Sequence, residues 1–121
     1  MVHTLSDLPK ARLEVRFFQA GNGREPVRDW LRELAPEDRK SIGASILEVQ
    51  AGWPIGMPLV RKMELRLWEV LVHLKDRVAR IMFTLSGNTV ILLHGFIKKT
   101  QATAGADLRL ARRRCKEVFR D

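Results

Sequence analysis

Residues Leu67–Thr100 read LWEVLVHLKDRVARIMFTLSGNTVILLHGFIKKT. Three apolar runs rich in β-branched or aromatic residues, Leu67–Leu74, Val78–Leu85 and Thr89–Ile97, are separated only by Lys75-Asp76-Arg77 and Ser86-Gly87-Asn88. Runs of this kind bounded by Gly, Asn and Asp form strands. Connections this short join antiparallel neighbours, because a parallel crossover needs roughly a dozen residues or more. The stretch therefore predicts two consecutive hairpins, an antiparallel meander.

Working outward, Leu59–Met63 reads as a short strand carrying Arg61 and Lys62, preceded by a Gly- and Pro-rich loop over Trp53–Pro58. Before that loop stand two helices. Val27, Trp30, Leu31 and Leu34 recur at i, i+3, i+4 and i+7 after Pro26, and Ile42, Ile46 and Val49 keep the helical period from Pro36 until Gly52 and Pro54. Proline suits the first turn of a helix, where its missing N–H has no partner to lose. Leu13–Phe18 is β-rich and ends at Gly21-Asn22-Gly23, a first strand. On the C-terminal side, Leu108, Ala111, Cys115, Val118 and Phe119 line one side of a last helix, and Arg109, Arg112, Arg113, Arg114, Lys116 and Arg120 line the other.

The order strand, two helices, three or four antiparallel strands, helix implies an α+β fold: a small curved antiparallel sheet with two N-terminal helices and a C-terminal helix. The expectation is that the helices gather on one side and leave the other sheet face open as a groove. At 121 residues the chain is the length of a single domain, residues 1–121.

Composition narrows the class. An apolar fraction of 45% argues against a disordered chain. No apolar run approaches the ~18 residues of a membrane span, and Met1–Lys10 lacks the apolar core of a secretory signal, so a cytoplasmic location is expected. The lone Cys115 lies on the apolar stripe of the last helix and reads as core. A formal charge of +8 suits a polyanionic or strongly acidic partner.

The third long run ends in His94-Gly95-Phe96-Ile97-Lys98-Lys99-Thr100. Apolar packing has no use for an imidazole and two ammonium groups there, nor for Arg80 within an otherwise apolar strand, which must emerge at an open face or find a partner. Together they suggest a phosphate-handling site. An imidazole, with an unperturbed pKa of about 6.5, exchanges protons near neutrality, which makes His94 the candidate acid or base. Arg80, Lys98, Lys99, Arg61 and Lys62 could neutralise a phosphate, and Phe96 could stack on an unpaired base. The bland readings are an edge histidine, a core phenylalanine and lysines that blunt a strand end. No HExxH motif, phosphate-binding glycine loop or ligand-spaced histidine pair is present, so neither metal nor cofactor is expected. His3 and His73 read as structural or solvated, and Asp76 and Asp107 as turn or cap residues.

Arg80 and His94 serve one site only if they share a sheet face. A two-residue Gly87-Asn88 turn puts His94 opposite Ile81, away from Arg80, whereas a three-residue turn puts His94 opposite Arg80 with Phe96 on the same face. A bulge near Gly95 would also switch faces.

Leu67-Trp68-Glu69, Arg80-Ile81-Met82-Phe83, the Leu92–Gln101 run containing His-Gly-Phe-x-Lys-Lys-Thr, and the basic last helix resemble the RelE/ParE toxin superfamily in its HigB-like, phage-derived branch. The resemblance extends from Arg16-Phe17-Phe18 to the last helix. It implies a RelE-like fold and a type II toxin–antitoxin toxin that cuts mRNA on the ribosome without a metal and is neutralised by a helix-turn-helix antitoxin. A same-fold toxin acting on a protein such as DNA gyrase, or a non-catalytic partner of a helix-turn-helix regulator, are the alternatives. Two positions depart from the family pattern: Leu71 stands where an arginine is common, and Ala104-Gly105 where a proline is common. The chain also has no tyrosine, so a phenolic base is unavailable and His94 or a lysine must take its place.

Overall fold

The structure, a computed structural model, describes residues 13–98 and 103–120. In chain order its elements are β1 Glu14–Phe17, α1 Pro26–Glu33, α2 Pro36–Gly52, β2 Val60–Glu64, β3 Leu67–Leu74, β4 Arg77–Ser86, β5 Thr89–Lys98 and α3 Gly105–Val118. Every expected element is present, its ends displaced by about one residue where the sequence set them. Neither α1 nor α2 has a side-chain N-cap; proline occupies the first turn of each instead.

The five strands form one sheet in the order β1-β5-β4-β3-β2. Strands β2 to β5 are antiparallel neighbours, closed by two-residue turns at Leu74↔Arg77 and Ser86↔Thr89. Gly87 sits at φ 61°, the positive value a type II′ hairpin asks of its first central residue. At the other edge the expected antiparallel sheet needs correction, because β1 runs parallel to β5, from Glu14↔Thr89 to Phe17↔Leu92. The sheet is mixed. β1 and β5 are far apart in sequence, so no short connection constrains their direction. The side chain of Gln50 at the end of α2 donates to the Leu13 carbonyl at 2.6 Å and fixes the entry to β1.

Helix placement is the second correction. Helices α1 and α2 pack on one face, where Val27, Ile42 and Val49 meet Ala79, Ile81 and Phe83. Trp53 packs edge-on against Trp68 and Phe83, with ring centroids 5.2 and 5.6 Å away. Helix α3 covers the opposite face, with Ala111 and Cys115 against Met82, Leu93 and Phe96. The face expected to stay open is thus roofed along part of its length. The physical reason lies in the strands: every β4 residue from Val78 to Thr84 is buried, and with Val78 and Met82 on one face and Ala79, Ile81 and Phe83 on the other, both faces carry apolar side chains that need cover.

Candidate functional site

Cross-strand register brings the chemistry to the α3 face. Ser86 pairs with Thr89 across a two-residue turn, and the ladder then shifts, so that Phe83 faces Leu92 but Met82 faces His94 and Arg80 faces Phe96. Leu93 is the inserted residue of a β-bulge. Without it, the tight turn would have sent His94 to the α1 face; with it, Arg80, His94 and Phe96 share one face. Of the routes the sequence allowed, a bulge does the work, two residues before the glycine that hinted at it. The Leu93 carbonyl, lacking a ladder position, accepts from Arg114 Nη1 of α3 at 2.7 Å. Burial lowers the Arg114 guanidinium below its ordinary value, and neighbouring Arg113 acts in the same direction.

His94 lies close under the start of α3. Its Nε2 is 2.7 Å from Asp107 Oδ1, and Lys98 Nζ is 3.3 Å from Asp107 Oδ2. Burial by itself would raise the Asp107 carboxyl, but the hydrogen bonds and charges of His94 and Lys98 together outweigh it and hold the group below the usual carboxylate range. Asp107 is therefore ionised at neutral pH. The Phe96 ring stacks on His94 at 5.3 Å, and Lys98 Nζ lies over the same ring, also at 5.3 Å. The result is a compact cluster of imidazole, carboxylate, ammonium and phenyl, with His94 and Asp107 only 16% and 20% exposed.

Behind this cluster lies a buried charge network. Glu69 and Arg80 are both fully buried. Glu69 Oε1 accepts from Arg80 Nη1 at 3.1 Å and from Arg61 Nη2 at 2.8 Å. Thr103 Oγ1 donates to Glu69 Oε2 at 2.8 Å and accepts from Arg80 at 2.6 Å. Burial lowers the Arg80 guanidinium, Glu69 opposes this, and Arg61 adds to it; an arginine nonetheless stays charged. Thr103 lies just before the first residues of α3, so the network ties the start of that helix to β3 and β4 and delivers Asp107 to His94.

Of the residues singled out by sequence, Arg61, Arg80, His94, Phe96 and Lys98 come together on the α3 face. Lys62 does not: it pairs with Trp68 on the opposite face, its Nζ 5.9 Å from that ring. Lys99 lies outside the described residues. Arg80 faces Glu69 rather than solvent. Asp107, Thr103 and Glu69 are the members sequence reasoning passed over. Asp107 reads as a helix-start residue, which it also is; only its i−13 and i−9 spacing to His94 and Lys98 across a loop could have hinted at more. Among the described residues no group of three His, Cys, Asp or Glu side chains is placed to hold a metal ion.

Residues 29–116 match the family model described as phage-derived protein Gp49-like (DUF891). The chain belongs to the Gp49-like family. That family is of RelE/HigB-like toxin type, in agreement with the superfamily suggested by the residues themselves. No curated protein matches this Gp49-like chain. No helix among its described residues is long and apolar enough to cross a membrane.

Proposed function

We propose that this Gp49-like protein is the toxin of a toxin–antitoxin module, and that it cuts single-stranded mRNA at the ribosome by a metal-independent transesterification centred on His94. The observation that carries the reading is the 2.7 Å contact between His94 Nε2 and the ionised Asp107 carboxylate. A carboxylate accepts only, so it favours the tautomer with the proton on Nε2 and leaves Nδ1 with a lone pair. That nitrogen takes the proton of a ribose 2′-OH as the 2′-oxygen bonds to phosphorus. The bond from phosphorus to the 5′-oxygen breaks, and the leaving oxygen takes a proton from a lysine, Lys98 or Lys99. Arg61, whose side chain is 34% exposed, reaches the phosphate as a forked donor. Arg80, being buried, serves the site through Glu69 and Thr103. The stack of Phe96 on His94 fixes the imidazole plane.

Inducible expression in a bacterial host, with growth and primer-extension mapping of several mRNAs, tests this. Wild type should arrest growth and leave new ends in translated regions; His94→Ala should lower cleavage by about 10²- to 10⁴-fold, the range of a general acid or base. Arrest without cuts would shift the reading to a protein target, and cuts that persist in His94→Ala would remove His94 from the chemistry.

A further inference from the structure

At the far end of α3 from His94 lies a cavity of about 330 Å³ between the β2–β3 turn and the last turns of the helix. Leu67 and Cys115 form its floor, Phe119 one wall, and Leu65, 80% exposed at the tip of the turn, its lip. The Arg66 guanidinium lies over the Phe119 ring at 4.7 Å, and Cys115 Sγ reaches the Arg66 carbonyl at 3.6 Å, so turn and helix are held as one rim. Three cations, Arg66, Arg112 and Lys116, surround the opening against one carboxylate, Glu64, which Arg112 already engages at 3.0 Å.

We infer that this cavity is a docking site for an acidic peptide segment of a partner protein, which inserts a large apolar side chain beside Leu65 while its carboxylates meet Arg66, Arg112 and Lys116. An exposed leucine at the lip of an apolar hollow is the pattern of an anchor pocket, and a cationic rim sets the sign of the partner. RNA fits less well. Single-strand binding needs open aromatic faces, and the ring here, Phe119, is already covered by Arg66. Asp107 and Cys115 are eight residues apart on α3, about 12 Å along the axis. A partner seated here therefore occupies a surface separate from the His94 cluster, and the inference stands whether or not that cluster cuts RNA.

The test uses the full-length protein and a short fluorescein-labelled helical peptide with Leu and Phe on one face among glutamates, alongside an analogue with Ser at the apolar positions. Anisotropy in about 150 mM salt, where surface attraction is largely screened, should show the apolar peptide binding about tenfold or more tighter. Leu65→Ser, at an exposed position, should abolish that preference, and Lys116→Glu should weaken the apolar peptide itself. Amide shifts in ¹H–¹⁵N spectra should concentrate on residues 64–67 and 112–119. Equal binding of the two peptides, a preference that survives Leu65→Ser, or displacement of the peptide from these amides by an RNA oligonucleotide would each overturn the inference.

Discussion

A Cβ built on Gly95 would lie 2.4 Å from Cζ3 of Trp30 and 2.5 Å from Cε3. A ring edge cannot yield as a flexible side-chain tip does, so glycine at this position is a packing requirement of α1 against β5. Gly95→Ala should cost about 1–3 kcal/mol, the usual size of overpacking. Urea unfolding of Gly95→Ala, Trp30→Leu and the double variant checks the cause: the double should recover part of the loss, and simple additivity would place the strain elsewhere. At Asp107, the partner of the neighbouring His94, the chemistry is electrostatic. Because the folded Asp107 carboxyl titrates below its unfolded value of about 3.9, its ionised form contributes stability that is fully present above that pH. The contribution is lost as pH falls through the folded value. Stability curves of wild type and Asp107→Asn should therefore lie furthest apart at neutral pH and converge in strong acid. A constant gap would show that Asp107 contributes through packing alone.

At the scale of elements, α3 does two jobs that depend on each other. Its apolar stripe, Ala111 and Cys115, roofs the sheet, and its first turn presents Asp107 to His94 and Lys98. Arg114 on the Leu93 carbonyl and the Glu69–Arg61–Arg80–Thr103 network hold the helix at two places. Glu69 is the shared acceptor. Its removal leaves two guanidinium groups facing each other without it, and breaking a buried pair in this way costs about 3–5 kcal/mol. Glu69→Ala should thus lower stability by that amount and, by loosening the start of α3, lower the RNA cleavage proposed for His94 as well. Arg80→Met keeps the Glu69–Arg61 contact and should cost less. The reverse order in a denaturation series would mean that Arg80 is the residue the network depends on.

The whole molecule carries a charge of +8. Single-stranded RNA neutralised by such a surface releases counterions, and log affinity should fall linearly with log salt at a slope of about −0.7 per phosphate contacted. Oligonucleotide titrations across salt concentrations would show this, and an affinity indifferent to salt would speak against a cationic RNA surface. The alternation of apolar residues, the prolines that open α1 and α2 and the tight turns of the meander are local signals, and local signals were enough for every element and for the α+β class. They also placed a basic, imidazole-bearing end on β5. What they could not convey are relations between distant segments. The parallel docking of β1 on β5 and the closure of α3 over the second sheet face depend on which apolar surfaces find each other. The insertion of Leu93 depends on ladder register, since one extra residue exchanges the faces of everything beyond it. The partnership of Asp107 with His94 follows from the last two, because it forms only once the bulge has turned His94 toward α3 and the buried Glu69 network has set the start of that helix above it.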